Sequence, residues 1–151
     1  MKKKKKRNTI YKFTPVIYPF PLLIARASDV DVDALIERFA AVTFAGDVVE
    51  ATRDDFTAND DTTARTMMLV DRETGKEYFL VFIFSPESVG AGVAAHEALH
   101  VTVRYFRYLG FEPCTTANEE AYAYFVQWVT SCMWSVLVDE TEKLNGVVLD
   151  E

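Results

Sequence analysis

The sequence predicts an α+β domain, with strands in the first part of the chain and two long helices after them. Three observations predict it. Residues 66–70 and 77–84 are rich in β-formers and flank Asp71-Arg72-Glu73-Thr74-Gly75-Lys76, a turn with glycine near its tip. Ser85-Pro86-Glu87-Ser88 then supplies helix-start chemistry, and a helical pattern runs to about Leu109, where Gly110 stops it. After a loop, residues 117–138 carry a second long helical pattern. Strands followed by helices are the order of an α+β domain, with an antiparallel or mixed sheet packed on the two helices.

The earlier elements follow from the same rules. Residues 10–26 are apolar and broken by Pro15, Pro19 and Pro21, which predicts an edge strand or extended segment. Residues 31–43 predict a helix, capped by Asp31 or Asp29, with Leu35, Ile36, Phe39 and Ala40 on one face. Residues 47–53 predict a short strand, and residues 54–63 a polar loop. Residues 78–84 are apolar on both faces, so that strand is expected in the interior of the sheet. Residues 66–70 or 10–18 are then left as the exposed edge.

The chain has 151 residues, one domain's worth, and half of them are hydrophobic. Its net charge is −7, but Lys2, Lys3, Lys4, Lys5, Lys6 and Arg7 hold six of the sixteen basic groups, leaving ten basic against 23 acidic residues. An acidic body with a basic end lacks the basic face of a nucleic-acid-binding domain. The organisation expected is a disordered basic tail at 1–9 and a single domain at 10–151, with nucleic acid contacted, if at all, through the tail. No apolar run reaches the roughly 18 residues that a membrane span needs. The basic start and Ala25-Arg26-Ala27 have the outline of a signal peptide, but Lys12 and the three prolines interrupt its apolar core, so a cytoplasmic protein is expected. Cys114 and Cys132 make no disulfide framework and are expected as buried free thiols.

The chemistry is concentrated in Val93-Ala94-Ala95-His96-Glu97-Ala98-Leu99-His100. Residues four apart on a helix share a face, so His96 and His100 can direct imidazole nitrogens at one ion. Glu97 projects beside them and can deprotonate a metal-bound water. These are the only two histidines in the chain. A catalytic zinc has three protein ligands and an open position, so the third is expected from a carboxylate or Cys114. Thr116-Ala117-Asn118-Glu119 fits a capping box that would occupy Glu119 and leave Glu120 to face the neighbouring helix, with Ala123 small enough for close approach. Glu120 is therefore preferred to Glu119 as the third ligand.

The motif His96-Glu97-x-x-His100, followed by a glutamate on a second helix, resembles the gluzincin branch of zinc metallopeptidases. The spacing of twenty from His100 to Glu120 is similar to that of thermolysin-like enzymes, and Asn118-Glu119 resembles their Asn-Glu pair, which favours Glu119 instead. Glu120-x-x-Ala123 resembles the Glu-x-x-Ala of ImmA-type peptidases. Residues 94–128 are similar to small His-Glu-x-x-His proteins encoded by bacteriophages of gut Bacteroidetes. The resemblance implies a small zincin-like domain and a zinc (Zn2+) metallopeptidase acting on a peptide or protein, from a phage or prophage, with other phage proteins as partners. It also implies a bacterial host cell or a virion as the location. A phage structural or assembly protein with a purely structural or vestigial metal site is the alternative. The family's usual transition-state donors have no counterpart here, and Tyr122 and Tyr124 are expected to be packing residues.

Overall fold

The computed structural model describes residues 8–59 and 61–150; residues 1–7 of the expected tail therefore lie outside the described residues, whereas Asn8 and Thr9, also expected in it, are hydrogen-bonded to Asp31 and Asp29. The fold is α+β. Seven strands form one mixed sheet: β1 (Tyr11–Phe13), β2 (Leu22–Arg26), β3 (Phe39–Val42), β4 (Val48–Val49), β5 (Ala64–Asp71), β6 (Glu77–Ile83) and β7 (Val147–Val148), in the order β4-β3-β5-β6-β2-β1-β7. Only β2 and β6 run parallel; every other neighbour is antiparallel. The helices are α1 (Val32–Arg38), α2 (Ala91–Tyr108) and α3 (Glu119–Leu137).

The β5–β6 hairpin forms as its sequence requires. Gly75 takes a positive φ of 71° at the turn, and the Asp71 side chain accepts from the N–H groups of Glu73 and Thr74. Strand β6 is buried on both faces, between β5 and β2. Its alternate residues serve two cores. Phe79, Val81 and Ile83 meet α2 and α3, whereas Tyr78, Leu80 and Phe82 meet Leu35 of α1 and the segment carrying Ala51 and Phe56.

On the first face, Tyr105 and Phe106 of α2 pack against Tyr122 and Phe125 of α3, with ring centroids 4.7–5.1 Å apart in the close pairs. Tyr105 is fully buried, and its hydroxyl both accepts from the Phe20 N–H and donates to the Phe20 carbonyl, each at 2.8 Å. Those two hydrogen bonds tie the proline-rich segment before β2 to the last turn of α2. Burial pushes the Tyr105 phenol up to about 12, although the Phe20 hydrogen bond pulls the other way.

Several expectations are corrected. The helix expected over 31–43 ends at Arg38: Asp31 caps it through the N–H groups of Asp33 and Ala34, but Phe39–Val42 pairs with β5 as a strand. Residues 66–70 are not an edge, since β5 lies between β3 and β6; nor are residues 10–18, whose strand β1 lies between β2 and β7, and β2 is interior too. The edges are β4 and β7. Helix α2 begins at Ala91, after a 3-10 turn at Pro86–Ser88, and Gly110, at φ 80°, follows its end. Cys132 is buried, and burial raises its thiol pKa, but Cys114 is exposed. No helix among the described residues is long and apolar enough to cross a membrane.

Candidate functional site

Helix α2 presents two neighbouring faces to different surroundings. Ala94, Ala98, Val101 and Tyr105 are buried in the core, and His96 and His100 lie exposed on the other side. The helical repeat brings the two imidazoles together as the motif requires. Their Nε2 atoms are 3.1 Å apart, with ring centroids at 4.8 Å and planes inclined by 76°. Two nitrogens sharing a tetrahedral zinc at 2.0–2.1 Å stand roughly 3.3–3.4 Å apart. The pair is thus within a few tenths of an ångström of ligand spacing. The same distance suits an N–H···N hydrogen bond between the two rings, the donor depending on the tautomer.

Glu97 lies a further 100° round the helix and turns toward the sheet. It is 8% exposed, and its Oε2 accepts a 2.8 Å hydrogen bond from the Thr66 hydroxyl on β5. The main-chain carbonyl of Thr66 accepts from Nη1 of Arg104 at 2.7 Å. One residue of β5 thereby holds both an acid and a base of α2. Burial lowers the Arg104 pKa, and the Glu97 charge acts to raise it. The Arg104 guanidinium also sits 4.5 Å above the Phe44 ring.

Beyond β5 the sheet extends past α2, and this overhang makes a cleft of about 710 Å³. One wall is the stripe His100, Arg104, Arg107 and Tyr108 of α2; the other is the β3–β4 turn, Thr43 to Gly46. Val42, Met68 and Phe79 make its floor apolar. The turn is closed by Gly46 at φ 87°, whose N–H donates to the Thr43 carbonyl at 2.9 Å. The volume lies in the range of ligand sites.

The expected third ligand is not brought to this pair. Asn118, not Thr116, occupies the cap position of α3, so the capping box that would engage Glu119 and free Glu120 does not form. Both glutamates are exposed in the first turn of α3. The cause is length: α2 runs eight residues past His100, about 12 Å, before the chain turns back. Ala123 is exposed and is not a helix contact. Cys114 lies in the connecting loop. Among the described residues no group of three or more His, Cys, Asp or Glu could hold a metal ion. The donor set therefore fits zinc in part, through two imidazoles and no third protein ligand.

Sequence reasoning missed Thr66 and Arg104. Arg104 could have been found, since it continues the His96–His100 stripe by one more turn. Thr66 could not, because its role depends on how β5 sits beneath α2. Tyr122 is a packing residue as expected, with its hydroxyl donating to the Glu112 carbonyl at 2.7 Å, and Tyr124 is 68% exposed. Comparison of the chain with protein-family models, with curated proteins and with solved structures gave no match.

Proposed function

We propose that the protein is a metal-dependent hydrolase of the zincin metallopeptidase type, in which His96 and His100 bind a zinc ion beside a cleft that receives a peptide. The observation that carries this reading is the pair of Nε2 atoms 3.1 Å apart on the exposed side of α2, with His100 lining the cleft and Glu97 anchored next to the pair. A bound zinc ion would lower the pKa of its water to about 7 and polarise a carbonyl.

The protein's own groups have separable tasks. Glu97 accepts a proton from the attacking water and returns it to the leaving amine. The Thr66 hydroxyl engages only Oε2 and fixes the carboxylate rotamer, which leaves Oε1 for the proton. Arg104 balances the buried negative charge and joins α2 to β5. The apolar floor of Val42, Met68 and Phe79 excludes water beneath an extended chain. The exposed turn before β4 lets that chain approach from the edge of the sheet. A catalytic zinc takes three protein ligands, and two are supported among the described residues. The third position falls to Glu120, if metal binding draws the start of α3 inward, or to a partner chain.

One observation favours a second reading. A His pair without a third ligand also suits a phage structural or assembly protein whose metal site is structural or vestigial. Turnover separates the two. The zinc-loaded protein should cleave members of a quenched-fluorescence peptide pool, and Glu97→Gln should abolish cleavage while retaining zinc. Retained zinc with no cleavage by the wild type would favour the second reading. Cleavage by Glu97→Gln at the wild-type rate would overturn Glu97 as the base.

A further inference from the structure

The arginines of the described chain fall into three groups. Arg26, Arg38, Arg53 and Arg72 each pair with one or more carboxylates. Arg65 is committed to the main-chain oxygens of Asp54 and Asp55. Arg104 and Arg107 make no salt bridge to a carboxylate among the described residues, Glu97 acting on Arg104 only through its charge, although acidic residues outnumber basic ones in the chain by 23 to 16. Both face the same cleft.

Arg104 is held in place rather than loose. Nη1 is bonded to the Thr66 carbonyl and the plane lies over Phe44, which leaves its other N–H groups without a protein acceptor among the described residues. No buried side-chain nitrogen there is unsatisfied, so these donors are reachable from the cleft. Asp55, the one acidic residue on the cleft wall, is occupied by the Thr52 N–H and hydroxyl. A fixed guanidinium with a second one a turn away is the arrangement that receives a carboxylate.

We propose that Arg104 and Arg107 form a carboxylate-binding subsite of the cleft, and that the peptide it takes carries an acidic side chain or a free C-terminus close to the histidine pair. The part of this inference that concerns cleavage rests on the hydrolase reading; the binding preference does not. Arg104 and Arg107 lie about 6 and 10 Å beyond His100 along the helix axis. An extended peptide advances about 3.3 Å per residue, so the carboxylate falls two to three residues from the bond at His96 and His100. The apolar floor suits aliphatic residues between the two. A phosphate-bearing polymer is disfavoured, because the acidic body repels a polyanion.

Peptide binding by the full chain in excess EDTA tests the inference without metal or turnover. Three fluorescein-labelled hexapeptides of one aliphatic sequence would be titrated by anisotropy: one with an internal Glu and an amidated end, one with Gln there and a free C-terminal carboxylate, and one with Gln and an amidated end. At least one of the charged peptides should bind about ten-fold tighter than the neutral one, and the tighter of the two names the source of the carboxylate. Added salt should shrink the difference. Arg104→Gln should abolish it. Because that change also removes a bond to β5, Arg107→Gln, at an exposed position, serves as the variant that leaves folding intact, and it should reduce the preference several-fold. Equal binding of all three peptides, no change in Arg107→Gln, or tighter binding of a labelled single-stranded oligonucleotide than of any peptide would overturn the inference. Metal loss in His96→Ala with the preference intact would leave the subsite standing alone.

Discussion

The hydrogen bond from Thr66 to Glu97 gives the sharpest stability prediction. Thr66→Val keeps the β-branched shape and nearly the volume, so neither the strand nor the packing should suffer. What it removes is a 2.8 Å bond between two groups that are 7% and 8% exposed. A hydrogen bond to a charged group contributes roughly 1.5–3 kcal/mol net, and the carboxylate stays buried without its donor. At roughly 2–4 °C per kcal/mol for a domain of this size, the melting temperature should fall by about 3–12 °C. Glu97→Gln keeps an acceptor for the threonine and removes the charge, and should cost under about 1 kcal/mol. Urea unfolding followed by the fluorescence of Trp128 and Trp134 measures both variants; because Glu97→Gln keeps the bond, Glu97→Ala, which removes it, is combined with Thr66→Val to close a cycle whose coupling energy reports the bond itself. A Thr66→Val protein within about 0.5 kcal/mol of wild type, or a coupling near zero, would refute the claim that Thr66 holds Glu97.

Three more predictions rest on other contacts. Tyr105→Phe strips the Phe20 N–H and carbonyl of their shared partner and should cost about 1–3 kcal/mol in the same assay. The folded protein keeps the Tyr105 proton above the pH near 10 at which the unfolded chain releases it. Stability from this group should therefore be lost as pH rises from about 10 to 12, and Tyr105→Phe should lack that part of the decline. Asp71 titrates in the opposite sense: burial raises its pKa, but the N–H groups of Thr74 and Glu73 and the Arg38 guanidinium outweigh burial and the net is lowered. Its contribution is present above the ordinary carboxylate range and lost as pH falls through the lowered value, so Asp71→Asn should flatten the acid limb of a stability–pH curve. Glu120→Ala should leave zinc affinity unchanged in a competitive chelator titration if the start of α3 stays where it is; a drop of ten-fold or more would show that metal binding draws Glu120 inward.

What could be read from the sequence was set by local chemistry. The β5–β6 hairpin, the interior place of β6 and the two long helices follow from turn residues, apolar runs and glycine stops that act over a few neighbours. The histidine pair is equally local, since four residues on a helix fix its geometry. The failures needed distant partners. Phe39 to Val42 continued an apolar helical pattern, yet pairing with Met68 to Asp71 on β5 makes it a strand, as tertiary contacts override weak propensity. β2 appeared among prolines and was assigned to an edge, although it lies parallel to β6 inside the sheet. The choice of Glu120 over Glu119 depended on a cap at Thr116. With Asn118 at the cap and eight residues of α2 beyond His100, no three-ligand group joins either glutamate to the histidines among the described residues. Thr66 left no trace because its partner is 31 residues away across the sheet–helix interface.

The shared cation is the claim on which the rest depends. Purified full-length protein should be equilibrated with excess zinc, passed through a desalting column and analysed for metal by mass spectrometry, beside His96→Ala and Thr66→Val proteins treated alike. Wild type and Thr66→Val should each retain about one zinc per chain, and His96→Ala none. Zinc-free wild type, or a His96→Ala protein that retains as much as wild type, would contradict the account.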